Sequence, residues 1–304
     1  MKYRSVYFVV FLLVMALIMT ACAPLTSTPS VTPTVVPPTP ITFTEKIDVG
    51  GYKLRIRCFG QGTPAAIVES GMGDPAVESG SWKAVTSAIA QTTQICLYNR
   101  AGVGLSDGAP GQDQTSRTSQ DMVEDLHTLL VNANVPAPYI LVGHSIGGYN
   151  VRLYASQYPN EVVGMVLVDS SHPDQWSEIS AVLPPEQPDE SESLKAIRSD
   201  TDPSSNPERM DVIASAAQVR ATKSLGDLPL IVLTHKPGWN IDPNLPPDLS
   251  AKIDQIWQDL QIDLAGLSSN STHIIATQAG HNIQVDEPQL VIDAILKVMA
   301  QAKK

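Results

Sequence analysis

The chain is poor in cysteine, with three in 304 residues, and poor in positive charge, with 20 lysines and arginines against 31 acids. Its cysteines stand at no metal-ligand spacing and no His-Glu-x-x-His occurs, so no metal site is expected. Neither a phosphate-cradling Gly-Lys-Ser/Thr loop nor a dinucleotide Gly-x-Gly-x-x-Gly follows a strand-like run, and no cofactor is expected. A net charge of −11 repels the phosphates of nucleic acid, which removes that partner class. No internal repeat is found. The apolar run Val6–Met19 has 14 residues, short of the roughly 20 that a membrane-spanning helix needs.

What is present begins with an export signal. Lys2 and Arg4 precede that apolar run, and Met19-Thr20-Ala21-Cys22 follows it with small residues at a cleavage position. This resembles the lipobox of bacterial lipoproteins, with Met19 where leucine is usual. The resemblance implies cleavage before Cys22, acylation of Cys22 and a lipid anchor in a bacterial membrane, outside the cytoplasm. Each buried methylene of such an anchor contributes about 0.8 kcal/mol. The rival readings are an ordinary signal peptide with an incidental cysteine, or an uncleaved signal anchor. Residues 23–41 are rich in Thr, Pro, Ser and Val and carry no charge, a composition that stays extended rather than packing. The expected organisation is a leader at 1–21, a tether at 22–41 and one folded domain at 42–304.

From Thr42 onward strand-like and helix-like segments alternate, the pattern of a mostly parallel sheet covered on both faces. Ile47–Val49 and Tyr52–Phe59 flank Gly50-Gly51 as an opening hairpin. Short apolar strands are expected at Ala65–Glu69, Gln94–Tyr98, Tyr139–Val142, Val162–Val168, Leu228–Thr234 and Thr272–Thr277. Helical spacing marks Ser81–Ala90, Ser116–Val131, Ser145–Tyr158 and Pro288–Ala302. Residues 171–227 break the rhythm, with 11 acids against 5 bases and several prolines.

Gly143-His144-Ser145-Ile146-Gly147 matches Gly-x-Ser-x-Gly between an apolar strand and an amphipathic helix. A tight strand-to-helix turn crowds the backbone and demands small neighbours, while the helix N-terminus favours developing negative charge. A serine hydroxyl needs a base to become a nucleophile. His281, in Ala279-Gly280-His281-Asn282, comes after the final strand and is the candidate among six histidines.

With these segments in place, residues 45–302 resemble the α/β-hydrolase superfamily, close to its serine esterase, lipase and dehalogenase-like branches. Glu69-Ser70-Gly71-Met72-Gly73-Asp74 stands where relatives have a His-Gly-containing loop. Tyr98-Asn99-Arg100-Ala101-Gly102-Val103-Gly104-Leu105-Ser106-Asp107 is similar to their Asp-Arg-x-Gly-x-Gly-x-Ser stretch, with Asn99 in place of aspartate. The resemblance implies an eight-stranded, mostly parallel sheet with helices on both faces. It also implies a small helical cap at about 171–227, between the sixth and seventh strands. By the same resemblance the main-chain N–H groups of Met72 and Ile146 form the oxyanion hole.

The triad's acid is the open position. Most relatives carry it after the seventh strand, but Thr234-His235-Lys236-Pro237-Gly238-Trp239-Asn240-Ile241-Asp242 has no aspartate at the expected distance. Asp169, after the sixth strand as in some relatives, is the favoured acid and Asp242 the alternative. The strands bearing Cys58 and Cys96 become neighbours in this fold. Both a disulfide and two buried thiols stay open. The function implied is hydrolysis of a small ester-like substrate through an acyl-enzyme. Lactonase, thioesterase, carbon–carbon hydrolase, acyltransferase and hydroxynitrile lyase chemistry share the same machinery. A surface-anchored binding protein without turnover is the rival outside enzymology.

Overall fold

The strands at the middle of the chain have almost no polar face. In a computed structural model, which describes residues 41–222 and 224–302, β3 (Ala65–Glu69), β4 (Ile95–Tyr98), β5 (Tyr139–His144) and β7 (Leu230–Thr234) are buried at every position. β6 (Val162–Val168) is buried at all but one. Unbroken apolar runs are what parallel strands covered by helices on both faces require. By contrast β2 (Lys53–Phe59) alternates, with Leu54, Ile56 and Cys58 inward, as an antiparallel strand near an edge does. With β1 (Ile41–Asp48) and β8 (Ser271–Ile275) the sheet has eight strands in the order β1-β2-β4-β3-β5-β6-β7-β8. The pairs β1–β2 and β2–β4 are antiparallel and all others parallel.

Successive residues of each strand feed opposite cores. One face packs Ile67, Leu141, Met165 and Val232 under the helices Ser119–Asn132, Gly147–Gln157 and Val212–Arg220. The other packs Val68, Val142, Val166 and Leu233 under Lys83–Ile89 and Pro288–Ala302. Thr118 caps its helix as half of a capping box with Asp121, whose carboxylate accepts the Thr118 N–H at 2.7 Å.

Several expectations shift by a few residues. β1 starts at Ile41 and is far longer than the predicted strand at 47–49, because its whole length pairs with β2. The helix after Ser145 begins at Gly147, since Ser145 itself is turned out of helical geometry. Cys58 and Cys96 face each other across β2–β4 and are joined as a disulfide, so the buried-thiol alternative falls. The leader at 1–21, Cys22 and all but the last residue of the 22–41 tether lie outside the described residues.

Between β6 and β7 stand the helices Gln175–Val182, Glu192–Ser199 and Val212–Arg220, with a 3-10 turn at Pro203–Ser205. The roof extends beyond the predicted 171–227. Leu245, Leu249 and Ile253, from the segment after β7 that includes the helix Pro247–Ala265, pack with Ile179 and Leu194 in a small separate core. That segment reads as polar along the sequence because only one stripe of the helix faces this core.

Candidate active site

Ser145 sits at the end of β5 with a φ of 52°, a left-handed conformation that side chains rarely adopt. Such strain costs on the order of 1–3 kcal/mol and survives only when the surroundings impose it. The surroundings are explicit here. A Cβ on Gly147 would stand 2.2 Å from the carbonyl oxygen of Glu69, and one on Gly143 2.6 Å from Val151 Cγ2. The turn is also locked to the loop after β6: Ser171 N–H donates to the Ser145 carbonyl at 2.9 Å, and Ser170 Oγ donates to the Gly143 carbonyl at 2.7 Å.

The second locked loop carries Asp169, which is fully buried and left-handed in its turn, with a φ of 44°. Its main-chain N–H donates to Leu233 O at 2.7 Å, tying the ends of β6 and β7 together. His281 Nδ1 lies 2.6 Å from Asp169 Oδ2, across 112 residues of sequence. Asp242 is not in this arrangement. It accepts from the backbone and side-chain amides of Asn244 at 2.8 and 3.0 Å.

Asp169 has more partners than the sequence disclosed. His235 Nδ1 stands 2.9 Å from Oδ2, while the His235 N–H and Trp257 Nε1 each donate to Oδ1 at 3.0 Å. Burial alone would push this carboxyl up. Hydrogen bonds from His235 and His281 outweigh it and hold the carboxylate well below its usual range. His235 Nε2 in turn reaches Asp254 Oδ1 at 2.8 Å. Its place directly after β7, the position relatives give to the acid, was the available signal for His235. Asp254 and Trp257 gave none, since nothing along the helix Pro247–Ala265 says which of its residues face the site.

His144 packs against His281 with ring centroids 4.8 Å apart, and its Nε2 lies 3.0 Å from the His281 carbonyl oxygen. Burial pushes the His144 imidazole down to about 3, so it is neutral and donates from Nε2. It therefore fixes the backbone of the loop that carries His281.

The loop of Ser70 to Gly73 is held from below. Arg100, itself buried, donates to the carbonyls of Ser70 and Gly71, each at 2.7 Å. Its guanidinium also lies 2.9 Å from Glu69 Oε1 and 2.5 Å from Glu208 Oε2. Glu208 comes from the cap, is fully buried, and accepts the Gly73 N–H at 2.6 Å. Asn99 accepts the Val77 N–H at 3.1 Å and donates to Glu78, a pairing that a carboxylate at this position could not make with Glu78.

Ser145, His281, Met72 and Ile146 open onto one cavity of about 390 Å³ between sheet and roof. Three of the chain's four tryptophans, Trp176, Trp239 and Trp257, line it together with Ile241 and Ile253, so its walls are apolar and flat. Trp239 stacks on His281 and Trp257 meets it edge-on. Among the described residues, its ionisable lining is Asp200, Asp254, His235 and His281, with no lysine or arginine. Among the described residues no cluster of acids, histidines and cysteines is arranged to hold a metal.

Fold, locked serine turn and buried histidine–aspartate contact together define a class. The chain belongs to the α/β-hydrolase superfamily: residues 67–201 match the family described as alpha/beta hydrolase fold, and long stretches match a curated relative. That relative, the uncharacterised protein YqjL of Bacillus subtilis, is 30% identical over 237 residues, 78% of this chain and 83% of its own length. Among solved structures, a probable hydrolytic enzyme from Pseudomonas aeruginosa overlays with a TM-score of 0.58 at 17% identity, covering 86% of this chain and 94% of that one. A thermophilic esterase from Thermogutta terrifontis overlays at 0.55 and 20% identity, covering 86% and 100%. These two likenesses establish shared fold.

Proposed function

We propose that the protein is a serine hydrolase that cleaves carboxylic ester or related acyl bonds through an acyl-enzyme. One observation carries this reading. A serine forced into left-handed geometry shares a cavity with a histidine whose inner nitrogen is bonded to a buried carboxylate. Asp169 fixes the His281 ring with Nδ1–H inward, which leaves Nε2 as the base.

In this mechanism His281 Nε2 takes the proton of Ser145 as Oγ attacks the carbonyl carbon. The electron pair displaced onto the carbonyl oxygen is met by the N–H groups of Met72 and Ile146. One well-placed donor of this kind contributes about 3–4 kcal/mol to the transition state. Collapse breaks the bond to the leaving alcohol, which departs with the proton from His281. Water, giving a proton to the same nitrogen, attacks the acyl carbon; the bond from that carbon to Ser145 Oγ then breaks, Oγ takes the proton back from His281, and the acid is released. The buried Asp169 carboxylate offsets the charge that His281 carries in both steps.

The cavity's apolar walls and acidic ionisable groups favour a neutral substrate with an apolar acyl or alcohol part and disfavour an anionic one. We further propose that the domain is exported and anchored through acylated Cys22, with residues 22–41 as tether. The Cys58–Cys96 disulfide supports an oxidising compartment.

A fluorophosphonate probe on the full chain tests the chemistry. Labelling that disappears in Ser145→Ala is the expected result, and a folded wild-type protein that takes no label overturns the enzyme and leaves a binding protein. An ester panel of graded acyl length then places it among esterases or lipases. Metabolic labelling with a fatty acid, retained in wild type and lost in Cys22→Ser, tests the anchor.

A further inference from the structure

The reading above uses one histidine on Asp169, yet two stand there. The proposed base donates to Oδ2, while the His235 ring Nδ1–H meets both oxygens, Oδ2 at 2.9 Å and Oδ1 at 3.0 Å, and the His235 main-chain N–H donates to Oδ1. His235 Nε2 then points at Asp254 Oδ1, 2.8 Å away, while Asp254 Oδ2 accepts the Gly238 N–H at 2.7 Å. The result is an unbroken line from His281 through Asp169 and His235 to Asp254.

We infer that His235 is held as an imidazolium between Asp169 and Asp254, and that the pair are positioning residues that temper how strongly His281 takes up a proton. The inference rests on the hydrolase reading only for its consequence in turnover. The charge state follows from donor counting together with basicity: a proton on the facing carboxylate would pair the same atoms, but an imidazole holds a proton more tightly than a carboxylate by about 2–3 pH units. A neutral imidazole has one N–H and one lone pair. Facing carboxylate oxygens at 2.9 and 2.8 Å on its two sides, a neutral ring would press that lone pair against an acceptor. Protonation at both nitrogens removes the conflict. Protonating Asp169 does not, because its oxygens already receive four N–H groups from His281, His235 and Trp257.

The surroundings supply the balancing charge. The end of β6 presents Asp169, the helix Pro247–Ala265 presents Asp254, and the loop after β8 presents His281 beyond Asp169. From its own loop the neighbouring cation, Lys236, is exposed, and Trp239 and Trp257 supply neutral faces. Burial works against a charged imidazole, and the hydrogen bonds to Asp169 and Asp254 overcome it, leaving His235 easier to protonate than a free histidine.

The consequence lies in the charge that His281 meets. With His235 neutral, two carboxylates would stand behind His281 with no cation between them, and their combined field would favour its charged form over the neutral ring that acts as a base. With His235 charged, Asp169, His235 and Asp254 together carry one negative charge. That equals the charge of an ordinary triad acid, while Asp169 gains extra donors that fix its orientation.

The test is nuclear magnetic resonance of histidine rings in the full chain labelled with nitrogen-15 and carbon-13. At pH 7.5 an unperturbed histidine, titrating at about 6.5, is roughly nine-tenths neutral. His235 is expected to show both ring nitrogens protonated at that pH, and a neutral ring overturns the proposal. In His235→Gln the titration of His281 is expected to move up by about one pH unit, the shift produced by removing a like charge at close range. The acid limb of kcat/KM for an ester substrate moves with it. A folded His235→Gln protein with an unmoved His281 titration also overturns the proposal, since a merely structural loss would lower the rate without moving the titration. Asp254→Asn provides a variant that keeps the ring: it should turn His235 neutral and move His281 far less, and a ring still doubly protonated there sinks the role given to Asp254. Because these ring titrations need no turnover, they remain decisive even if Ser145 proves unreactive, which separates failure of this inference from failure of the hydrolase reading.

Discussion

Two buried charge clusters flank the cavity, and they share one plan. In each, a cation bridges a carboxylate at the rim of the sheet and a carboxylate from the roof, and the roof carboxylate also accepts the N–H of a glycine. One cluster is Glu69–Arg100–Glu208 with Gly73; the other is Asp169–His235–Asp254 with Gly238. The difference is the cation. A guanidinium stays charged at any working pH, whereas an imidazole titrates. The first cluster is therefore fixed scaffolding beneath the loop that carries Met72. The second stands next to His281, the group that gains and loses a proton in the proposed mechanism.

The largest effect expected from breaking this comparison is chemical. Asp169→Asn should lower kcat by about 10⁴, close to 5 kcal/mol of activation energy, through the wrong His281 tautomer. Asp242→Asn, measured in the same ester assay, should leave kcat near wild type, since its partners are Ser193 and Asn244 rather than His281. Next comes the scaffold. Arg100→Met leaves Glu69 and Glu208 buried without a counter-charge and should lower the unfolding free energy by about 3–5 kcal/mol in urea titrations. That loss should grow, not shrink, from pH 6 to pH 9: burial already pushes the Glu69 carboxyl up, and without Arg100 it rises further, takes a proton at the lower pH and is charged and stranded at the higher.

Smaller effects sharpen the contrast through pH. His144, pushed down to about 3 by burial, is neutral in the fold but takes a proton at about 6.5 once unfolded. Its contribution is thus fully present above 6.5 and is lost as pH falls toward 3, at up to about 1.4 kcal/mol per pH unit. Thermal melts of His144→Asn should show a flatter acid slope than wild type. His235 has the opposite sign. Its folded value is raised, so its stabilisation is complete below 6.5 and declines as pH rises through the folded value. The stability gap between wild type and His235→Gln should consequently narrow on going from pH 6 to pH 9, whereas the Arg100→Met gap should not.

What was legible in the sequence was what leaves a local or ordered trace. Apolar runs bounded by turns placed all eight strands, and the glycines around Ser145 marked the serine turn because steric crowding there admits little else. His281 was found by its order in the chain. Asp169 was ranked above Asp242 because the loop after β7 lacks a carboxylate at the right distance. What escaped were residues whose meaning lies in distant partners. Glu208 meets Arg100 across 108 residues, and His235 meets Asp169 across 66. No periodicity or spacing encodes such a meeting, since each residue alone reads as a solvated acid or an incidental histidine. The roof was underestimated for the same reason: the helix Pro247–Ala265 looks polar until Ile179 and Leu194 are brought against it.

The hydrogen bond from the Gly73 N–H to Glu208 carries a lesson for anyone who would rebuild this protein. Modular reasoning treats the cap as an interchangeable hood, to be trimmed or traded with a homologue to alter selectivity. Here the hood supplies an anion to the machinery below, so a graft lacking a carboxylate at that point would strand Arg100 and slacken the segment bearing Met72. Chimeras should be chosen first for that single acid and only then for the shape of the chamber they create.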